Sequence, residues 1–67
     1  MTAPRTRLVR ADEISVGSRV WNVDQEQEVL RIRDLFDGRL VLTLRSPIGP
    51  ATELSILPWA YLQVMDG

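Results

Sequence analysis

The stretch that decides the fold is residues 28–45, which read EVLRIRDLFDGRLVLTLR. Two apolar arms flank Asp37-Gly38, and such a dipeptide between alternating hydrophobic residues is the strongest short-range signal for a β-hairpin. Apolar residues stand at every second position of both arms, at Leu30, Ile32, Leu40, Leu42 and Leu44. The sequence therefore predicts a long antiparallel hairpin with one apolar face and one face that carries arginines.

The register of this hairpin follows from the need to keep one face apolar. A plain two-residue turn would set two arginines of the first arm opposite leucines of the second, which a half-buried sheet face does not tolerate. A shift of one residue pairs Ile32 with Leu44 and moves the arginines to the other face. We therefore expect a loop centred on residues 37–39 or a bulge near Asp34-Leu35.

Length and composition limit the protein to one small domain. A chain of 67 residues holds a single core, and with neither cysteine nor histidine it has no disulfide, no structural zinc site and no catalytic triad of the common kinds. We expect no enzyme activity, no cofactor and no metal. No apolar run approaches the roughly 20 residues of a membrane span, and no signal peptide is visible, so we expect a cytoplasmic protein with no membrane contact.

The net charge is close to zero, but the basic residues are all of one type. The net charge is −1, and all eight basic residues are arginine. Codon bias in a GC-rich genome explains this, and so does a use of the guanidinium fork, which binds phosphate and carboxylate in a bidentate manner. Composition leaves both interpretations open.

The rest of the chain reads as short strands and turns around the hairpin. Residues 1–10 look like a flexible basic arm that ends in a short strand at Leu8-Val9, and residues 11–67 form the domain. A single helical turn is expected at 11–14 and a polar loop at 24–27, with a proline-rich loop at 46–51. The further strands are expected at 19–23, 52–57 and 61–65, and one turn of 3₁₀ helix at 57–60 precedes the last strand.

This order of elements resembles the small SH3-like β-barrel. The resemblance covers residues 14–65 and rests on two segments, Val16 to Val20 at the start of the first strand and Leu57 to Ala60 before the last. The first segment is also similar to Tudor-like and KOW-like barrels and to short proteins of actinobacteria and their phages. The resemblance implies an all-β, five-stranded antiparallel barrel and does not imply a particular partner.

Two sets of side chains are candidates for binding. Trp21, Leu35 and Ile48 form the first set, which would bind a protein partner or a second copy if all three are exposed. The second set projects from the predicted arginine face and consists of Arg19, Arg31, Arg33 and Arg45. With the N-terminal arm, these arginines would follow a phosphate backbone, unless they only pair with neighbouring acids on a solvated face.

The sequence therefore favours a noncatalytic binding module. A protein partner or self-association comes first, nucleic-acid binding through the arginines is the alternative, and a purely structural role in an assembly is third. The aromatic residues also have a purely structural interpretation. We expect Trp59 and Phe36 to close the two ends of the barrel and Trp21 to be the most exposed of the aromatic side chains.

Overall fold

The structure, a computed structural model, describes residues 5–66 and is all-β over that range. One antiparallel sheet contains six strands: β1 (Thr6–Arg10), β2 (Arg19–Asn22), β3 (Gln25–Asp34), β4 (Leu40–Arg45), β5 (Thr52–Ile56) and β6 (Tyr61–Met65). Their order in the sheet is β1-β6-β2-β3-β4-β5. A single 3₁₀ turn, η1 (Ala11–Glu13), joins β1 to the segment before β2. Within residues 5–66, no helix has the length and apolarity that crossing a membrane requires.

The tip of the β3–β4 hairpin is a three-residue loop. The Leu35 amide donates to the Arg39 carbonyl at 2.8 Å, and the Gly38 amide donates to the Leu35 carbonyl at 3.0 Å. Gly38 has φ +90°, so a tight turn is followed by a left-handed glycine, a common way to close such a loop. The two-residue turn is excluded as expected. The loop is centred on Asp37, however, and Ile32 pairs with Leu42 rather than Leu44. Relative to a two-residue turn, the pairing is therefore shifted by one residue in the direction opposite to the predicted one.

A bulge does interrupt the hairpin, but at Leu30 rather than near residues 34–35. Val29 pairs with Leu44 and Arg31 with Thr43, so Leu30 is the extra residue of β3. The sequence offers two adjacent apolar side chains for the core position here, and the alternation with Ile32 predicts Leu30 for it, which is wrong. Val29 takes it and is fully buried, whereas Leu30 is only half-buried. The extra residue increases the local twist of the sheet.

The connection from β5 to β6 requires a strongly coiled sheet. These strands stand four positions apart in the sheet, which is roughly 19 Å in a flat arrangement. The chain from Ile56 to Tyr61 spans at most about 17 Å even when extended, and it contains a tight turn in which the Ala60 amide donates to the Leu57 carbonyl at 3.0 Å. A flat sheet is therefore impossible.

The sheet nevertheless stays open. Among the described residues no ladder joins β1 to β5, so the expected closed, five-stranded SH3-like barrel is not confirmed. Six strands are present rather than five, because β1 adds to the outer edge of β6. The turn at 57–60 is one hydrogen-bonded turn.

The core lies on the concave inner face of this sheet. Its buried members come from every part of the chain: Ile14, Val20, Val29, Leu42, Leu44 and Val64. Partly buried side chains near both edges of the sheet pack against them, with Leu54 and Ile56 on β5 and Val9 and Leu62 on β1 and β6. Each fully buried side chain of this kind stabilises the fold by about 1.5–3 kcal/mol.

The N-terminal strand is longer than the sequence indicates. All five residues of β1 pair with β6, from Thr6 with Met65 to Arg10 with Tyr61. The Ala11 amide then donates to the Ala60 carbonyl at 2.8 Å, and the Asp12 amide donates to the Pro58 carbonyl at 3.0 Å. The expectation of a flexible arm over residues 1–10 is thus corrected for residues 6–10, and its first four residues lie outside the described range.

The other strand boundaries lie close to those expected. β6 has the expected bounds, and β2 and β5 each end one residue earlier than expected. The expected polar loop at 24–27 is reduced to the two-residue turn Val23-Asp24, and β3 begins at Gln25.

Candidate functional site

A shallow groove lies beside the β2–β3 turn and the proline-rich loop. Its volume is about 270 Å³, and it is lined by Trp21, Asp24, Gln25, Glu26, Pro47 and Ile48. Trp21 follows the buried Val20, and it pairs with Gln63 and Glu26, which places it on the outer face of the sheet. The fold therefore brings together two of the three residues predicted for protein binding, Trp21 and Ile48.

Partly buried hydrogen bonds hold the start of the loop that carries Ile48. Gln27 is buried on β3, and its amide nitrogen donates to the Ser46 hydroxyl at 2.7 Å. The Asn22 amide donates to the Gln27 side-chain oxygen at 3.2 Å. This chain of polar side chains joins β2, β3 and the start of the loop, so the two sides of the groove are held at a set distance.

Two apolar side chains at or next to the groove are exposed: Ile48 lines it, and Val23 directly precedes the lining residue Asp24. Ile48 is 89% exposed and Val23 is 79% exposed. Val23 also has φ +52°, and the following Asp24 has φ +57°. Left-handed backbone costs a non-glycine residue roughly 1–2 kcal/mol, and a β-branched side chain is among the least suited to it. A strained, exposed valine beside a groove is the kind of outlier that suggests a binding role.

The third predicted residue, Leu35, lies elsewhere. It is half-buried at the tip of the β3–β4 hairpin, whereas the groove lies at the other end of β3. Nine residue steps along that strand correspond to roughly 30 Å. Leu35 therefore does not share a surface with Trp21 and Ile48. Its neighbour Phe36 is fully exposed at the same tip.

The predicted arginine face exists, but it is largely neutralised. The Arg45 Nη2 atom lies 2.6 Å from Glu28 Oε1, and the Arg33 Nη2 atom lies 3.1 Å from Glu53 Oε2. These cross-strand neighbours share the outer face with their partners. Such exposed pairs stabilise a fold by only about 0–1 kcal/mol, yet they occupy the guanidinium groups that a phosphate would need.

The remaining two arginines of this face differ in their surroundings. Arg19 Nη1 lies 3.3 Å from Glu26 Oε2, and Arg31 pairs with Thr43 across the ladder. The four predicted arginines and the three glutamates that pair with them thus carry a net charge of +1. A broad positive stripe does not form.

A second, larger groove has a more basic wall. Its volume is about 660 Å³, and its charged lining residues are Arg5, Arg7, Arg19, Glu26 and Asp66. Val64, Met65 and the Gly17-Ser18 turn complete it. Arg5 and Arg7 reach it because β1 is paired to β6, so the fold joins the N-terminal arginines to one member of the predicted arginine face.

The aromatic side chains do not close the ends of a barrel. Phe36, Trp59 and Tyr61 are all exposed, and Trp21 is half-buried, so the expected ranking of the aromatics is wrong. The physical reason is the open sheet: neither end needs a plug. Sequence reasoning also missed Val23 and Leu8 as exposed apolar residues. For Val23 the signal was present, since the four polar residues that follow it already suggested a turn.

Within residues 5–66, histidine, cysteine and acidic side chains form no group of three that could hold a metal ion. Comparison with protein-family models, with curated proteins and with solved structures gives no match.

Proposed function

We propose that this chain is a small noncatalytic binding module that holds a protein partner in the groove between Trp21 and Ile48. The observation that carries the proposal is the strained backbone of Val23, which directly precedes the groove residue Asp24 and stays exposed where asparagine or glycine would stabilise the turn. A side chain kept against the preference of its own backbone is explained by a contact made outside the monomer.

The walls of the groove suit a partner that inserts an apolar side chain and places polar groups around it. Trp21 and Ile48 supply apolar area, and Asp24 and Glu26 supply acceptors at the rim. Interfaces between proteins commonly have this arrangement, with an aromatic residue at the centre and a polar border. The hydrogen bonds of Gln27 keep the groove formed before the partner arrives, which lowers the entropy cost of binding.

The test compares two exposed positions in an affinity capture from the native host. Ile48→Asp changes the groove, and Leu57→Asp changes an exposed apolar residue outside it. We expect one prey protein to be lost with Ile48→Asp and retained with Leu57→Asp. A prey that both variants retain, or that both lose, would contradict the groove assignment.

Fluorescence gives a direct readout with the captured partner. A Trp59→Phe variant leaves Trp21 as the only tryptophan. Partner binding in the groove should shift its emission to shorter wavelength and protect it from iodide quenching. Unchanged emission at a saturating partner concentration would place the contact elsewhere.

We also propose that β2–β6 are an open form of the SH3-like barrel. What supports this is the order β6-β2-β3-β4-β5, in which the last strand returns beside the first of the five. The tight turn at residues 57–60 before β6 has the place of the 3₁₀ turn in that fold. A solution structure in which β6 pairs with β5 and not with β2 would contradict it.

Nucleic-acid binding is the second candidate, and the larger groove favours it over the arginine face. Arg5, Arg7 and Arg19 line that groove together, and Arg19 would leave Glu26 to contact a phosphate. Three phosphate contacts predict that the logarithm of the affinity falls with the logarithm of the salt concentration at a slope of about −2 to −3. Arg7→Gln should weaken binding of a mixed-sequence oligonucleotide more than Arg33→Gln, because Glu53 already holds Arg33. Absence of binding at low salt would remove this candidate.

A further inference from the structure

The outer edge of β1 is an unused strand edge next to exposed apolar side chains. Within residues 5–66, β1 pairs only with β6. Leu8, in the middle of the strand, is 67% exposed, and Tyr61, diagonal to it on β6, is 60% exposed. Both lie on the outer face of the sheet. An edge of this kind is a template for another strand.

The hydrogen-bond pattern shows which backbone groups of β1 point away from the sheet. The Arg5 carbonyl accepts from the Asp66 amide at 3.0 Å, and the Ala11 amide donates to the Ala60 carbonyl at 2.8 Å. In an antiparallel ladder the N–H and C=O of one residue point to the same side, and the side alternates along the strand. Odd-numbered residues therefore face β6, and Thr6, Leu8 and Arg10 direct their backbone groups outward.

A second copy of β1 fits this edge around a two-fold axis at Leu8. Leu8 then faces its own copy, and Thr6 faces Arg10 of the other chain. All three residues with outward backbone groups become paired. On the inner face, Arg7 lies opposite Val9. No two arginines face each other in this register, and Arg10 is already held by Asp12 at 3.0 Å.

Neighbouring registers are less favourable. An axis at Arg7 sets two arginines directly opposite each other, which is destabilising across strands. An axis at Val9 leaves Thr6 unpaired and sets Arg10 opposite Leu8. The only register that uses the whole strand without charge repulsion is the one centred on Leu8.

The other free edge of the sheet is less suited to pairing. β5 lies between Pro50 and Pro58, and its outer-face residues Glu53 and Ser55 are polar. Proline and charge at an edge are the usual protection against strand pairing. β1 also carries charge, at Arg7 and Arg10, but in the register centred on Leu8 these side chains lie opposite Val9 and Thr6 of the other copy and not opposite a like charge.

We propose that two copies of this chain form a symmetric dimer by antiparallel pairing of their β1 strands around Leu8, which continues the sheet across both chains. This goes beyond the proposed function, because the contact surface lies on β1 and not in the Trp21–Ile48 groove. The Leu8 side chains meet on the outer face, flanked by the two Tyr61 rings.

Sedimentation over a wide concentration range tests the assembly. The wild-type mass should rise toward twice the monomer mass, and Leu8→Pro should remain monomeric. The Leu8 amide points away from β6, so proline at this edge position removes an intermolecular donor and no bond of the monomer. Ile48→Ser is the control, and it should dimerise like the wild type. A wild-type chain that is monomeric at all concentrations overturns the proposal.

Disulfide trapping tests the register and does not depend on how proline is tolerated. The natural chain has no cysteine, so each variant carries a single thiol. Opposed residues of a hydrogen-bonded pair lie about 5.5 Å apart at their Cα atoms, within reach of a disulfide. Oxidised glutathione should therefore link Leu8→Cys to itself rapidly.

The mismatched positions supply the control. Thr6→Cys should not link to itself, because its own copy is about 13 Å away along the strand. It should link when mixed with Arg10→Cys. A dimer that forms in the Leu8→Pro variant, or equal self-linking of Thr6→Cys and Leu8→Cys, overturns the assignment to the β1 edge. Ile48→Asp, which should lose binding in the groove, should still dimerise through β1. The groove proposal and the dimer proposal are therefore tested independently.

Discussion

At the scale of single residues, the backbone of Val23 is the clearest departure from local preference. The two-residue turn at Val23-Asp24 has positive φ at both positions, a geometry that normally selects asparagine, aspartate or glycine. Asp24 satisfies this preference and Val23 does not. The turn is therefore imposed by the pairing of β2 with β3.

Replacing this valine should stabilise the monomer. We expect Val23→Asn to raise the free energy of unfolding by about 1 kcal/mol, because asparagine tolerates left-handed backbone. Urea unfolding measures the change as a higher midpoint at constant slope. Val16→Asn, at another exposed valine with negative φ, should change little. If the urea midpoint does not rise for Val23→Asn, the backbone of Val23 is not strained, and the binding proposal loses the observation on which it depends.

The buried amide of Gln27 gives a second prediction at this scale. Gln27→Leu keeps the volume but removes hydrogen bonds to Asn22 and Ser46. Because the polar groups of Asn22 and Ser46 lose their hydrogen-bond partner, the free energy of unfolding should fall by about 1–3 kcal/mol. Gln25→Leu, two residues earlier on the same strand and exposed, is the matched control, with an expected change within about 0.5 kcal/mol. Thermal or urea unfolding followed by circular dichroism measures both, and equal stability of the two variants would contradict the prediction.

At the scale of elements, the β3–β4 hairpin depends on Gly38. A Cβ atom at this position would meet nothing within 4 Å, so the cost of substitution is that of the backbone alone, at φ +90°. Gly38→Ala should therefore lower the free energy of unfolding by about 1–2 kcal/mol. Gly38→Asn should cost less, since asparagine accepts left-handed geometry more readily. Urea midpoints in the reverse order would contradict this account of the loop.

The same hairpin shows where sequence patterns stop being decisive. Alternation predicts the two arms and excludes a two-residue turn, but it selects Leu30 for the core where the structure has Val29. Both are apolar, and the choice depends on Leu44 across the ladder and on the coil of the sheet. The position of the bulge is thus a property of the packed sheet.

β1 is the strand whose length is predicted least well from the sequence. Its five residues include two arginines, which suggested a solvated arm. A strand is stabilised by its partner, and the partner here is β6, more than fifty residues away in sequence. Local composition contains no information about such a pairing.

At the scale of the whole molecule, stability rests on one small core. Domains of this size are stable by only roughly 0.05–0.15 kcal/mol per residue. Leu42 has no exposed surface, and its ladder neighbours are Ile32 and Leu54. Leu42→Ala should lower the free energy of unfolding by about 2–5 kcal/mol, a large part of the total.

The matched control removes a larger side chain from the surface. Phe36 is fully exposed, so Phe36→Ala should change stability by less than about 0.5 kcal/mol. Denaturant unfolding of both variants checks the contrast. A similar loss in the two proteins would mean that Phe36 packs against something in solution and that the open hairpin tip is incorrect.

The candidate site is only partly visible from the sequence. Trp21 is a large apolar residue expected on the outer side of a strand, and Ile48 is one expected in a loop, and this was enough to select them. Leu35 has the same character, yet it lies at the opposite end of β3. Whether such residues share one surface depends on strand order and strand length, which composition does not provide. The acids that pair with the arginines come from neighbouring strands for the same reason.

The sequence by itself determined the all-β class, the long central hairpin and most strand positions, because alternation and turn residues act over a few neighbouring residues. The tertiary structure alone decided the register, the bulge at Leu30, the sixth strand and the open, coiled sheet. These features depend on contacts between residues far apart in the chain. Their free energy comes from filling one common core and from pairing backbone groups across strands, and neither quantity can be read from local sequence.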